Sequence, residues 1–186
     1  TCKHIEKQGG EITCLKVKEN GLIDLAELEA AIKPNTILIS IMYANNEIGT
    51  IMPMEEIAAL AKKKGILVFS DATQAVGKIP IDINKIGIDL MAFTAHKMYG
   101  PKGVGALYVR RKNPRVKLTA QMDGGGHERG MRSGTLNVPG IVGFGKACEI
   151  CRSEMTEEAT RVGKLRDKLQ TDLLKIEEAH LNGDKD

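Results

Sequence analysis

The sequence contains no tryptophan, and aromatic residues make up only 3% of its 186 positions. No apolar run approaches the roughly 20 residues that a membrane-spanning helix needs, which argues against an integral membrane protein. Neither sign of charge is in strong excess, because the sequence has 27 basic and 24 acidic residues and a formal net charge of only +3. So small a surplus, with so few aromatic rings for base stacking, is not typical of a nucleic-acid-binding protein. The 42% apolar content suits one folded domain rather than a disordered chain.

Cysteine is also scarce, with four residues at positions 2, 14, 148 and 151. That is too few for a disulfide scaffold. Cys148 and Cys151 form a C-x-x-C pair inside a helical pattern, but a zinc site would need a second pair or two histidines at ligand spacing. We therefore predict buried, reduced cysteines and no metal site, with a redox or metal role as the alternative.

The sequence begins at Thr1 rather than methionine and shows no signal or targeting segment. We expect it to be part of a longer chain.

Short apolar runs alternate with helical stretches along the chain. Strands are predicted over 11–17, 36–42, 66–70, 88–93 and 104–109. Helices are predicted over 1–8, from Asp24, from Pro53 to Lys64, and from about Val138 to Ala179 with a break near 155–157. Strand and helix at this spacing predict an α/β fold with a mainly parallel sheet flanked by helices.

Polar side chains follow three of the predicted strands at the point where each strand ends. They are Asn45-Asn46-Glu47 after the first, Asp71-Ala-Thr-Gln74 after the second, and Thr94-Ala-His96-Lys97 after the third. Ligands of open α/β sheets bind beyond the carboxyl ends of the strands. A lysine for a Schiff base together with an acid for a pyridinium nitrogen is what pyridoxal phosphate requires of a protein. The combination therefore predicts a pyridoxal-phosphate site, although each residue alone has an ordinary reading as a cap, a turn or a solvated side chain.

Three longer stretches, Val68–Gly77, Asp89–Gly105 and Gly124–Thr135, resemble cysteine desulfurases of the IscS/NifS type in the class V aminotransferase group. The resemblance implies the large-domain portion of a pyridoxal-phosphate-dependent transferase of fold type I. Residues 1–155 would form the cofactor-binding large domain, incomplete at its N-terminus. Residues 156–186 would be a helical connection toward a missing C-terminal small domain.

The resemblance also implies roles for the residues of the predicted site. Lys97 would hold the cofactor covalently and move protons during the reaction. Asp71 would pair with the pyridine nitrogen, Gln74 would bond the phenolic oxygen, and Asn46 would lie near that oxygen and the substrate carboxylate.

The cofactor phosphate would be bound by a further group of residues. Thr94, where serine is usual, and His96 would contact it within the same chain, and His96 is assigned with Lys97 to catalysis. Thr135 would reach the phosphate of the cofactor in the partner subunit, so the resemblance implies a homodimer.

The implied activity converts L-cysteine to L-alanine and passes sulfur, as an enzyme persulfide, to an iron–sulfur scaffold or another acceptor protein. None of the four cysteines stands where the family places its persulfide cysteine, which we expect beyond Asp186. This polypeptide alone should therefore be inactive. A bacterial cytoplasmic location is expected, with the mitochondrial matrix as the alternative.

Two other classes remain open from the sequence. One is a different class V enzyme, such as a selenocysteine lyase or a small-molecule aminotransferase. The other is a non-catalytic dimerisation or docking module. The basic run Arg110–Lys117 is interpreted as a solvated surface edge, and the glycine-rich loop from Gly124 lacks the spacing of a nucleotide-binding loop.

Overall fold

The computed structural model describes residues 2–185. Thr1, in the first predicted helix, and Asp186, at the end of the predicted helical connection, lie outside these residues. The helices are α1 Cys2–Lys7, α2 Leu25–Ala31, α3 Met54–Lys63, α4 Ile83–Ile86 and α5 Val138–Leu173. The strands are β1 Leu38–Met42, β2 Leu67–Asp71, β3 Leu90–Thr94 and β4 Gly105–Val109, and short 3₁₀ turns cover Ala95–Lys97 and Glu128–Gly130.

The four strands form one sheet in the order β1-β2-β3-β4. β1 pairs with β2 and β2 with β3 in parallel, whereas β4 runs antiparallel to β3. Two parallel strands need a crossover connection between them, and helical segments provide it between β1 and β2 and between β2 and β3. The predicted α/β class with a mainly parallel sheet is confirmed.

The main hydrophobic core lies where α2, α3 and α4 pack with the sheet. Ile57 and Ala61 of α3 are fully buried and lie one helical turn apart, so they form a single apolar face. Val68 and Ser70 are the buried positions of β2, consistent with the two-residue period of a strand. α3 also carries acidic residues in its first turn and lysines in its last, which favours the helix dipole.

A smaller cluster joins α5 to the segment after β3. It consists of Ala95, Met98, Phe144 and Ala147. Phe144 contacts Phe93 edge to face, with ring centroids 5.7 Å apart. The N-terminal half of α5 is thereby held against the turn that contains Lys97.

Asp89 and Arg110 form an ion pair where β3 begins and β4 ends. Arg110 Nε lies 2.9 Å from Asp89 Oδ1, and the two side chains are only 14% and 8% exposed. Asp89 Oδ2 also accepts a hydrogen bond from the Val68 amide, and the Arg110 guanidinium donates to the carbonyl of Ile88. The interpretation of the whole 110–117 run as solvated is therefore wrong at Arg110, because this side chain neutralises a buried carboxylate.

Two predicted elements are wrong. Residues 11–17 form no strand, and Val17 is 59% exposed. No strand within residues 2–185 pairs with this segment, so its backbone gains nothing from an extended ladder. The break near 155–157 is also absent, because α5 continues through Leu173. Its interior lacks proline, and the Thr160 hydroxyl bonds the carbonyl of Thr156 across this region.

The prediction of buried cysteines is wrong for three of the four. Cys2, Cys14 and Cys148 are exposed, and Cys151 is half-buried; all four are free thiols. Cys148 and Cys151 lie on α5 where one side of the helix faces solvent. Of the helices within residues 2–185, none combines the length and apolar character needed to cross a bilayer.

Candidate functional site

The candidate site lies at the carboxyl ends of β1, β2 and β3. Met42, Asp71 and Ala92 are register partners across these strands, so their side chains share one face of the sheet. Thr94 follows Ala92 by two residues and therefore emerges on that same face. The parallel strands thus place Asp71 beside the start of the segment that carries His96 and Lys97.

Asp71 is the last residue of β2, and its exposed carboxylate begins a tight turn. Its Oδ1 accepts a hydrogen bond of 3.0 Å from the amide of Thr73. The other oxygen, Oδ2, has no hydrogen-bond partner among residues 2–185. One carboxylate oxygen therefore fixes the side chain, while the other can accept a hydrogen bond from a donor group of a ligand.

The connection between β3 and β4 holds Thr94, His96 and Lys97 in place. Thr94 Oγ1 lies 2.9 Å from Nδ1 of His96 and 3.2 Å from the carbonyl of Val104. A hydroxyl has one proton, so donation to Val104 requires that His96 Nδ1 be the donor in the other contact. Gly105 is needed in this connection, because a Cβ there would lie 2.7 Å from the carbonyl oxygen of Phe93.

Lys97 ends the 3₁₀ turn and is exposed, whereas the flanking Ala95 and Met98 are buried. The amides of Met98 and Gly100 both donate to the carbonyl of Ala95. The backbone under Lys97 is therefore fixed and its amine projects freely. This is the arrangement that a covalent attachment point requires.

Asn46 lies in an exposed loop directly beyond β1. The neighbouring Asn45 organises that loop, because its Oδ1 accepts hydrogen bonds from the amides of Glu47 and Ile48 at 2.8 and 3.0 Å. Thr50 closes the loop through its hydroxyl, which bonds the carbonyl of Asn20 and accepts from the Asp184 amide. The C-terminal Leu-Asn-Gly-Asp segment thus supports the loop that presents Asn46.

Gln74 is half-buried in the turn that follows Asp71. Its Oε1 accepts a hydrogen bond of 3.2 Å from the ammonium of Lys78, four residues further along the chain. Lys78 is an exposed residue, but partial burial of its side chain, and then the nearby positive charge of Lys97, lower its pKa. The sequence interpretation missed Lys78, and the only signal for it was its spacing of four residues from Gln74.

Thr135 is not brought to the other candidate residues. It lies exposed in the loop before α5, and within residues 2–185 it makes no side-chain hydrogen bond to any of them. Ser133 is the anchored residue of this loop, because it is buried and its hydroxyl accepts from the Gly126 amide. The predicted contact of Thr135 is to a partner subunit, and it stays a prediction.

The side chains at the carboxyl ends of these strands, here called the rim, carry the chemical groups that bind pyridoxal phosphate. They comprise an exposed amine at Lys97, a carboxylate with an unused oxygen at Asp71, an amide at Gln74, and hydroxyl and imidazole groups at Thr94 and His96. No group of three or more histidine, cysteine or acidic side chains suited to a metal ion occurs within residues 2–185. The donor set is thus one for an aldehyde, a pyridine nitrogen and a phosphate.

Comparisons with known proteins agree with this chemistry. The family model described as Aminotransferase class-V matches residues 1–186. The cysteine desulfurase IscS of Pectobacterium carotovorum subsp. carotovorum (strain PC1) is 57% identical over 184 residues. That alignment covers 99% of this chain and 45% of the Pectobacterium protein.

Solved structures show the same relationship. A NifS-like protein superposes with a TM-score of 0.88 at 44% identity, over 94% of this chain and 47% of that protein. The structure of SspA in complex with cysteine superposes with a TM-score of 0.75 at 44% identity, over 80% of this chain and 42% of that one. The chain thus spans about half the length of the relatives that it matches.

Proposed function

The chain belongs to the class-V aminotransferase family, whose enzymes depend on pyridoxal phosphate, and on this basis we propose that it is the cofactor-binding part of a cysteine desulfurase. The substrate would be L-cysteine and the products L-alanine and enzyme-bound sulfur. The observation that carries the proposal is that Asp71 pairs in register with Ala92, on the strand that leads into the turn of Lys97, in a chain 57% identical to a cysteine desulfurase.

The proposed roles follow from the chemistry of each side chain. When bound, pyridoxal phosphate would withdraw electrons from the amino-acid substrate. The amine of Lys97 would hold the cofactor and then carry protons to and from the substrate. The unused Oδ2 of Asp71 would accept a hydrogen bond from the protonated pyridine nitrogen and stabilise its positive charge.

The remaining side chains would bind and orient. Gln74 would hydrogen-bond the phenolic oxygen, and Asn46 would lie near that oxygen and the substrate carboxylate. Thr94 and His96 would bind the phosphate, and His96 would assist Lys97 in catalysis. Thr135 would complete the phosphate site of a second subunit, which makes the functional unit a homodimer.

We also propose that none of the four cysteines is the sulfur-accepting nucleophile. A thiolate is the competent nucleophile. Burial raises the pKa of Cys151, and the nearby Cys148 and Glu154 raise it further, so its thiol stays protonated near neutral pH. Cys148 is exposed in the middle of α5, so it belongs to a helix rather than to a loop. The persulfide cysteine would then belong to a part of the protein outside these residues.

The organisation and setting of the protein are proposed on the same grounds. Residues 1–155 would belong to the large domain, and 156–186 would lead toward a small domain. Sulfur would pass to an iron–sulfur scaffold or another acceptor protein. The bacterial cytoplasm is the proposed location, with the mitochondrial matrix as the alternative, and fractionation of the source cells distinguishes the two.

The test uses the natural protein that carries this sequence, incubated with pyridoxal phosphate and dialysed. We expect a visible absorbance band, and equal amounts of alanine and sulfide from L-cysteine under a reductant. Lys97→Ala should abolish the band and both products, whereas Lys62→Ala, at an exposed lysine of α3, should abolish neither. A protein without the band would refute the cofactor role and favour a docking module. Selenide from selenocysteine alone, or a keto acid, would assign a different enzyme of the family.

A further inference from the structure

Lys78 is joined to the candidate site by the turn that follows β2. The amide of Val76 donates to the carbonyl of Ala72, and that of Ile79 to Ala75, at 3.0 and 3.1 Å. These bonds fold the segment into successive turns rather than a helix, and Gly77, in a left-handed conformation, lies between Gln74 and Lys78. Lys78 Nζ and Gln74 Oε1 meet there at 3.2 Å.

The backbone beside Lys78 is fixed by its surroundings. Gly77 has a φ of +79°, and a Cβ at this position would lie 3.0 Å from Cys151 Sγ and 3.1 Å from Met98 Cβ. Only glycine fits this conformation and this space. Lys78 therefore leaves the chain from a point packed against both α5 and the residue that follows Lys97.

The contact determines which end of the Gln74 amide can face a ligand. An ammonium group has three donors and no acceptor, so the atom that it touches must be the amide oxygen. The Nε2 group of Gln74 is then left as a hydrogen-bond donor. A donor is what a phenolic oxygen with negative charge needs.

We propose that Lys78 is a positioning residue of the cofactor site, which holds Gln74 so that its amide nitrogen faces the phenolic oxygen. This inference rests on the proposed pyridoxal-phosphate function. Lys78 acts through Gln74 and does not itself touch the cofactor.

The charges around Lys78 support the arrangement. Lys97, from the turn after β3, lowers the pKa of Lys78, and Cys151, from α5, has the opposite and smaller influence. Burial of Lys78 by its neighbours is the largest cause of the lowered pKa.

Loss of Lys78 has a predictable effect on the nitrogen of Lys97 in the holoenzyme. Without Lys78, the Gln74 amide is free to turn, and the phenolic oxygen loses its fixed donor. Negative charge on that oxygen is then less stabilised and draws a proton to the nitrogen of Lys97 more strongly. The pH midpoint of the visible band should therefore rise, by about half a unit to one unit.

The experiment is a pH titration of that band in the natural holoenzyme. Lys78→Met should raise the midpoint, whereas Lys78→Arg, which retains charge and donors, should leave it within about 0.3 unit. Lys62→Met serves as the control for loss of a surface lysine. The same Lys78→Met change in a Gln74→Ala background should produce less than about half of the shift, because Gln74 carries the effect.

Each outcome decides the matter. An unchanged midpoint in Lys78→Met, or an equal shift with and without Gln74, would overturn the inference while the proposed function stands. A wild-type protein that shows no band would overturn the function and the inference together. A thermal melting curve for each variant confirms that a lost band reflects the site rather than unfolding.

Discussion

The ion pair between Asp89 and Arg110 should make the sheet sensitive to the loss of either partner, because each would leave a buried charge uncompensated. Replacing Arg110 with methionine keeps most of the side-chain volume but leaves the Asp89 carboxylate buried without a counter-charge. Arg110 Nε and Asp89 Oδ1 are 2.9 Å apart, and the Asp89 side chain is only 8% exposed, so water cannot replace the lost partner. Removing one member of such a pair costs about 3–5 kcal/mol.

A double variant measures the interaction energy between Asp89 and Arg110 separately from the contribution of each side chain. In Asp89→Asn the amide oxygen can still accept from the Val68 amide, so this change alone should cost about 1–3 kcal/mol. Asp89→Asn combined with Arg110→Met contains no buried charge. Its loss of stability should be about 2 kcal/mol smaller than the sum of the losses in the two single variants, and this difference is the coupling energy of the pair.

Urea unfolding followed by circular dichroism measures these differences through the midpoint at constant slope. Arg111→Met is the matched control, because the Arg111 side chain is exposed and should change stability by less than about 0.5 kcal/mol. The reasoning fails if Arg110→Met costs less than about 1 kcal/mol, or if the two single changes simply add in the double variant.

Two further predictions concern α5. Asn137→Ala should lower the free energy of unfolding by about 1 kcal/mol, since Asn137 Oδ1 caps the helix by accepting from the Gly140 amide at 3.1 Å; Asn137→Asp, which retains the acceptor, should lose far less in the same urea titration. Cys151 should react with iodoacetamide roughly tenfold more slowly than Cys148 near neutral pH, because burial raises the pKa of Cys151. Its rate should climb as the pH rises toward that pKa, and peptide mass mapping after timed quenching would reveal equal rates if the burial argument were wrong.

The sequence predicted the elements that contain strong local patterns. The run around Leu38–Met42 is apolar almost throughout, so it could be recognised as a strand without knowledge of its neighbours. Burial on both faces did not follow from that pattern, because β1 is an edge strand in which Leu38 and Ser40 are exposed. The rim residues could be predicted for a similar reason. Asp71 and Thr94 stand where strands end, and parallel strands bring those ends to one edge.

The predictions that were wrong or missing concern features that depend on contacts with other parts of the structure. Residues 11–17 have the composition of a strand, but a strand forms only where another offers its backbone groups. Arg110 lies in a basic run that looks solvated, and its partner Asp89 is far away in sequence. Lys78 was missed because a single lysine after a glycine has no pattern of its own, and its meaning comes from the amide that it touches.

The order of the strands has a consequence for how the sheet forms. Each strand pairs with the one that precedes it along the chain. Register partners are 29 residues apart between β1 and β2, 21 between β2 and β3, and 11 to 19 between β3 and β4. Loops of this length close at a modest entropic cost, so each strand can join the sheet as soon as its own segment is synthesised. All the strands that form the edge with Asp71, Thr94 and Lys97 lie within residues 38–109, so the chain up to Val109 contains every pairing of this sheet. We therefore expect the sheet to be able to form before α5 packs against it, and hydrogen exchange during refolding would show protection of the strands before that of the helix.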